Sequence, residues 1–335
     1  MEATPLELRP RNLLDLMDGS VRLYRRHFGP LLGISALMLV PFGVVYSVGF
    51  FYYFLALGPM TQIGQVPPDA QIDMSALVIG LVLLVSALVI IAALGPLSQG
   101  ALALAISEQY LGRSIGVWEA YRRVIRYWWS LFWVGIVFGL LVSFGPLVGA
   151  MLGGGAGFAI GMAVLPQAPA APAAIGAVIG MLAGVPVSAL FFTWFVFYEQ
   201  TMVLENALGM DSLQRSRALV RGHGWHAFGT LFLTFLAITI ATWVLTVPVS
   251  AVGGVVAVSR PEFFAHVQLL AQCVQQIVNI LLGPLFMIVQ TLTYYDLRIR
   301  KEGFDLQMMA AAIERLRRRG GVVSQEPPAD DVPTS

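Results

Sequence analysis

Nineteen of the twenty lysine and arginine residues lie on one side of six long apolar runs, and this phase constrains the chain more than any motif in it. The runs fall near residues 29–57, 77–107, 130–164, 174–204, 227–258 and 264–295. A helix needs about 20 apolar residues to cross a hydrocarbon layer, and each run is long enough. The N-terminal arm carries Arg9, Arg11, Arg22, Arg25 and Arg26, and the loop after the second run carries Arg113, Arg122, Arg123 and Arg126. The loop after the fourth run carries Arg215, Arg217 and Arg221. The tail carries Arg298, Arg300, Lys301, Arg315, Arg317, Arg318 and Arg319, while the three intervening loops hold only Arg260. Lys and Arg are retained on the cytoplasmic side of a membrane. The pattern predicts an all-α polytopic membrane protein. Six transmembrane helices form three hairpins, joined by short cytoplasmic amphipathic helices, with both termini in the cytoplasm.

Composition points the same way. Hydrophobic residues make up 57% of the chain and charged residues 12%, which excludes an ordinary soluble domain. The net charge of +1 conceals the asymmetry just described. The first 28 residues are too charged, and the first apolar run too long, for a cleavable signal peptide. Cys273 is the single cysteine, so no intramolecular disulfide forms, and its place inside the sixth run suits packing rather than reactivity. The predicted divisions are an amphipathic segment over 1–28, a membrane domain over 29–296, a tail helix over 297–320 and a disordered, acidic end over 321–335.

A unit of basic amphipathic stretch, outgoing helix and returning helix recurs three times. Pro96, Pro186 and Pro284 precede Glu108, Glu199 and Asp296 by 12 or 13 positions. A proline deep in a membrane helix removes one backbone donor and bends the helix, and an acid near its end can meet the arginines that follow. The amphipathic stretches have readable faces. Leu13, Met17, Val21 and Tyr24 form the first stripe, and Val117, Tyr121, Val124, Ile125 and Trp128 the second. The third opens at Asp211 as N-cap, with Gln214 at the capping-box position. Asp305 is expected to cap the tail helix, and the outer loops over 58–73 and 165–173 to lack structure. Helices of this kind lie in the headgroup plane with cations toward anionic lipid. Arg22, Arg25, Arg26, Arg122, Arg123, Arg126, Arg215, Arg217 and Arg221 are the candidate headgroup ligands. The plainer reading is positive-inside topology without a lipid site.

Small residues at every fourth position let helix backbones touch. Gly145, Gly149, Gly153, Gly157 and Gly161 have this spacing, as do Gly176, Gly180 and Gly184. They predict a tight hairpin of the third and fourth helices, with a dimer seam as the alternative. The sixth helix carries Gln268, Gln272, Gln275, Gln276 and Asn279 on one face. Amides in hydrocarbon need partners, so this row is either interhelical glue or the lining of a wet path. Glu199, behind a run of aromatic residues, is either the inner end of that path or a partner for Arg215, Arg217 or Arg221.

No nucleophile–base pair, nucleotide loop or metal-ligand cluster is visible, and His223 with His226 lacks a carboxylate or cysteine pair nearby in sequence. Neither a cofactor nor a nucleic acid partner is expected.

Four segments carry a family resemblance. RPRNLLDLMDGSVRLYRRHFGPLLGISALMLVPF (9–42), GPLSQGALALAISEQYLGRSIGVWEAYRR (95–123), SLQRSRALVRGHGWHAFGTL (212–231) and YYDLRIRKEGFDL (294–306) resemble bacterial proteins with the glycerophosphoryl diester phosphodiesterase membrane domain. The last segment, with Asp296, Arg298, Lys301, Glu302, Gly303 and Phe304, is the most specific. In that family the domain can precede a catalytic barrel. This sequence has no His-Arg-Gly or paired-acid motif, and no barrel is expected after the tail helix. The resemblance therefore implies a stand-alone, non-enzymatic domain in a bacterial cytoplasmic membrane. The expected function is binding of anionic lipid or organisation of the membrane or envelope, alone, as a homo-oligomer or with a membrane-protein partner. The alternative is a small transporter or channel along the sixth helix.

Overall fold

A computed structural model describes residues 13–57, 72–164, 167–168, 170–260 and 263–303. The described residues form ten α-helices and no strand. These are α1 (Leu13–Arg26), α2 (Phe28–Leu57), α3 (Met74–Tyr110), α4 (Val117–Val124), α5 (Trp128–Val164), α6 (Ala170–Phe195), α7 (Tyr198–Glu205), α8 (Met210–Val220), α9 (Gly224–Ser259) and α10 (Phe264–Glu302). Six helical stretches, built on α2, α3, α5, α6, α9 and α10, are long and apolar enough to cross a membrane. The predicted repeat is visible: α1, α4 and α8 each precede an outgoing and a returning helix.

The long helices have two parts with different surroundings. At about 1.5 Å per residue, the 39 residues of α10 reach about 58 Å, nearly twice the hydrocarbon thickness. The helix is therefore longer than one straight crossing requires. Its two halves have different surroundings: from Met287 to Leu297 every residue is buried, whereas Leu270, Ile277 and Leu281 are exposed. α3 changes in the same way, from exposed Val82, Val85 and Leu88 to a buried stretch that begins at Leu97. In both helices the change falls at the proline, Pro96 or Pro284. The three buried clusters all lie at this end. One joins Leu16 and Leu31 to Ile106 and Ile288, the second joins Val124 and Leu131 to Met202, and the third joins Phe197 and Leu219 to Tyr294. We call this end the base. Fully burying one such side chain contributes about 1.5–3 kcal/mol.

α10 is the centre of the bundle. It packs on α9, α2 and α1, and 56% of its most apolar window is buried, against 6–33% in the other spans. The glycine seam occupies the second hairpin. A Cβ at Gly149 or Gly153 would overlap the carbonyl oxygen of Gly180 or Gly176, and one at Gly145 would overlap that of Gly184. Gly157 meets Pro172 in the same way, and Gly161 is buried. The stripes are consumed within one hairpin. Gly49 and Gly80 make a similar, looser contact between α2 and α3.

Five expectations need correction. The fourth apolar run is two helices: α6 continues through Pro186, and the chain breaks at Val196–Phe197. The first amphipathic stripe is rotated. Leu16, Ser20 and Tyr24 face inward while Val21 is exposed, because the Ser20 hydroxyl donates to the Leu16 carbonyl at 2.6 Å and can be buried. The cap of α8 is Gly209 at φ 57°, not Asp211, which sits in the first turn and is exposed. Residues 170–173 open α6, with Pro172 in a first turn whose N–H groups have no helical partner. Finally, α10 runs unbroken past position 297 to Glu302, where Gly303 closes it at φ 58°. The expected tail helix and its Asp305 cap lie outside the described residues, as does most of the loop over 58–73.

Candidate functional site

The base holds most of the described ion pairs, and two groups of polar side chains organise it. In the first, Arg215 of α8 joins α7 to α10. Its Nε donates to Glu205 Oε2 at 2.5 Å, and its Nη2 reaches Glu205 Oε1 at 3.3 Å and Glu302 Oε1 at 2.5 Å. Arg298 of α10 lies 3.2 Å from Glu302 and 3.5 Å from Glu205, and the Tyr294 hydroxyl donates to Glu205 Oε1 at 2.5 Å. The hydrogen bonds that Arg215 donates to Glu205 raise its affinity for its proton; burial opposes this and Glu302 adds to it. Beside this group, Asp296 meets His226 at 3.0 Å and Arg300 at 2.7 Å, and Lys301 donates to the Arg221 carbonyl at 3.0 Å. The segment from Tyr294 to Glu302 is therefore the strap that fixes α10 to α7, α8 and α9.

The second group repairs the broken fourth span. A break frees backbone groups that must be satisfied inside the protein. Ser216 Oγ accepts from the Phe197 N–H at 3.2 Å and donates to the Trp194 carbonyl at 2.9 Å. Gln290 Nε2 donates to the Val196 carbonyl at 2.7 Å and to Gln200 Oε1 at 3.2 Å. Thr201 Oγ1 lies within hydrogen-bonding distance of the Tyr198 and Ser212 carbonyls, at 3.0 and 3.1 Å. α8 and α10 thus hold the break from opposite sides.

Glu199 follows this break and is 7% exposed. Its Oε1 accepts from the Tyr198 hydroxyl at 3.0 Å. It pairs with none of Arg215, Arg217 and Arg221, as each is engaged elsewhere or exposed. The helix-end acid that does meet the following amphipathic helix is Glu205. Glu108 is its counterpart in the first hairpin, 3.3 Å from both Arg113 and Arg123. The sequence carried a sign of this: Glu-x-x-Leu-Gly occurs at Glu108–Gly112 and again at Glu205–Gly209. Both glycines have positive φ, at 79° and 57°.

The nine candidate headgroup arginines separate into three sets. Arg123 and Arg215 are committed to carboxylates, and Arg22 forms an exposed pair with Asp18. Arg217 lies over the Trp194 ring at 4.4 Å and Arg126 over Tyr127 at 4.6 Å. Arg25, Arg26, Arg122 and Arg221 are exposed and, among the described residues, have no carboxylate partner. Trp118 at 76%, Trp129 at 60% and Trp225 at 87% exposure share the base with them. Tryptophan is enriched at this depth because its ring sits between water and lipid.

The amide row is not a single surface. Gln275 Nε2 donates to Asn279 Oδ1 at 3.1 Å, one turn along the same helix. Gln276 instead packs its stem on α2, 3.1 Å from the place a Gly43 Cβ would occupy, and its buried Oε1 has no hydrogen-bond partner among the described residues. Gln268 and Gln272 are partly buried. Among the described residues, no group of three or more His, Cys, Asp or Glu is placed to hold a metal ion.

Fold and base together define an all-α, multi-pass membrane protein. Residues 90–297 match the family described as a domain of unknown function, DUF7847, and the chain belongs to that family. The match covers the base from the end of α3 to the strap of α10. No curated protein and no solved structure matches the chain.

Proposed function

We propose that this protein is a non-enzymatic membrane protein that binds anionic lipid through its base and thereby organises the surrounding bilayer. The observation that carries this reading is the division of the arginines. Some lock the base together, while Arg25, Arg26, Arg122 and Arg221 are left exposed beside Trp118, Trp129 and Trp225. Cations and amphipathic rings at one level of a bundle suit an anionic headgroup layer. The positive-inside rule favours the cytoplasmic leaflet for that layer, in a membrane we take to be a bacterial inner membrane. Relationship to the glycerophosphoryl diester phosphodiesterase membrane domain belongs to the same reading. Transport is less well supported, since Gln275 bonds Asn279 while Gln276 turns toward Gly43, so the amides do not converge on one path.

The test is electron paramagnetic resonance of chain-labelled lipids around the reconstituted protein. Spin-labelled phosphatidylglycerol is expected to associate more strongly than spin-labelled phosphatidylcholine, with the preference falling as salt rises. The Arg25→Gln, Arg26→Gln, Arg122→Gln variant is expected to lose it. Equal association of both lipids with the wild type would overturn the reading.

A further inference from the structure

The membrane-spanning part carries a groove of about 280 Å³ between α2 and α10. Leu39, Gly43 and Val44 line one wall, and Cys273, Gln276 and Ile280 the other. The walls are apolar in character, because Gln276 presents its stem to Gly43. On α10 the groove runs from Leu269 to Ile280. At 1.5 Å per residue this is about 17 Å, comparable with half of a 30 Å hydrocarbon layer.

α1 crosses the basal end of the groove. The Tyr24 hydroxyl donates at 2.6 Å to the carbonyl of Leu281, the residue after Ile280. The Tyr24 ring meets Phe28 edge-on at 5.1 Å, which fixes this end of α1. Arg25 and Arg26 come next in the chain and are exposed. The apolar groove thus ends beside two exposed guanidinium groups that have no carboxylate partner among the described residues.

We infer that α1, α2 and α10 form a discrete site for one anionic glycerophospholipid of the base-side leaflet, with an acyl chain along the groove and its phosphate at Arg25 and Arg26. This rests on the lipid-binding reading above and goes beyond it. A general surface attraction needs no groove and would hold no particular lipid molecule.

The site is tested by native mass spectrometry of the full chain released from nanodiscs of phosphatidylglycerol and phosphatidylcholine. The wild type is expected to retain one phosphatidylglycerol. Arg25→Gln with Arg26→Gln is expected to weaken retention about thirtyfold, the loss of two surface cations. Val44→Trp fills the groove from an exposed position and is expected to abolish retention, whereas Val85→Trp, equally exposed on α3, is expected to leave it intact. Retention by Val44→Trp equal to wild type would overturn the groove site and leave the general lipid reading to the resonance experiment. Absence of any retained lipid in the wild type would overturn it too.

Discussion

Arg215 holds both carboxylate oxygens of Glu205, at 2.5 and 3.3 Å, and so ties α8 to the end of the broken fourth span. The pair is partly shielded, with 33% and 16% of the two side chains exposed. Removing one partner strands the other. Arg215→Met is therefore expected to destabilise the base by about 2 kcal/mol, less than a fully buried pair would lose. Arg215→Lys keeps the charge but not the planar fork that reaches Glu205 and Glu302 together, so it should fall between. Thermal unfolding in detergent measures both. Arg215→Met with an unchanged midpoint would show that the network contributes nothing.

Ser216 bridges the break by accepting from Phe197 and donating to Trp194. Ser216→Ala removes both bonds and leaves a buried N–H without a partner, at a cost of about 1–3 kcal/mol. Hydrogen exchange at Phe197 is the specific readout. The amide should exchange faster in the variant, while amides of the α5–α6 seam stay protected.

The glycine seam makes a graded prediction. A methyl group at Gly149 or Gly180 would enter the opposite backbone, whereas nothing lies within 4 Å of a Cβ at Gly155. Gly149→Ala and Gly180→Ala should each cost about 1–3 kcal/mol. Gly155→Ala should be neutral or stabilising by about 0.5–1 kcal/mol. Comparable losses at all three positions would remove the seam as the cause.

His27 sits between α1 and α2. Partial burial lowers its proton affinity, and the neighbouring Arg26 lowers it further. The folded protein therefore favours neutral His27, and the unfolded chain binds the proton more readily. This contribution to stability is complete above the ordinary histidine value of about 6.5 and is lost as pH falls through the lower folded value. Melting midpoints should drop on acidification below about pH 6.5 and drop less in His27→Gln. Parallel curves for the two proteins would refute the assignment.

How far the sequence could be read depended on whether a feature is periodic or depends on distant partners. The glycines from Gly145 to Gly184 repeat every fourth position, and a hairpin is the arrangement that buries both stripes. The arginine phase is equally local, because each loop can be inspected alone. The break at Val196–Phe197 carried no such sign. Pro186 suggested a bend ten residues earlier, and the groups that permit the break, Ser216 and Gln290, come from other helices. Glu199 was misread for a related reason: spacing from the proline matched it to Glu108, while the Glu-x-x-Leu-Gly context matched Glu205. The inward face of α1 is rotated from the apolar stripe because it includes Ser20, a polar residue whose hydroxyl is satisfied within its own helix. The division into base and membrane part was obscured because α3 and α10 pass through both without a change in helical periodicity.

The second hairpin is clamped at one end only. Between Gly145 and Gly184 the buried residues described are glycines of the seam, while Met151, Leu152, Ile160 and Ile179 are each more than half exposed. In mechanical terms it is a cantilever: two helices bonded face to face along their length and anchored where the chain breaks at Val196. A change in bilayer thickness or lateral pressure would act along the free arm, and its torque would be felt at the root, on the hydrogen bonds of Ser216 and Gln290.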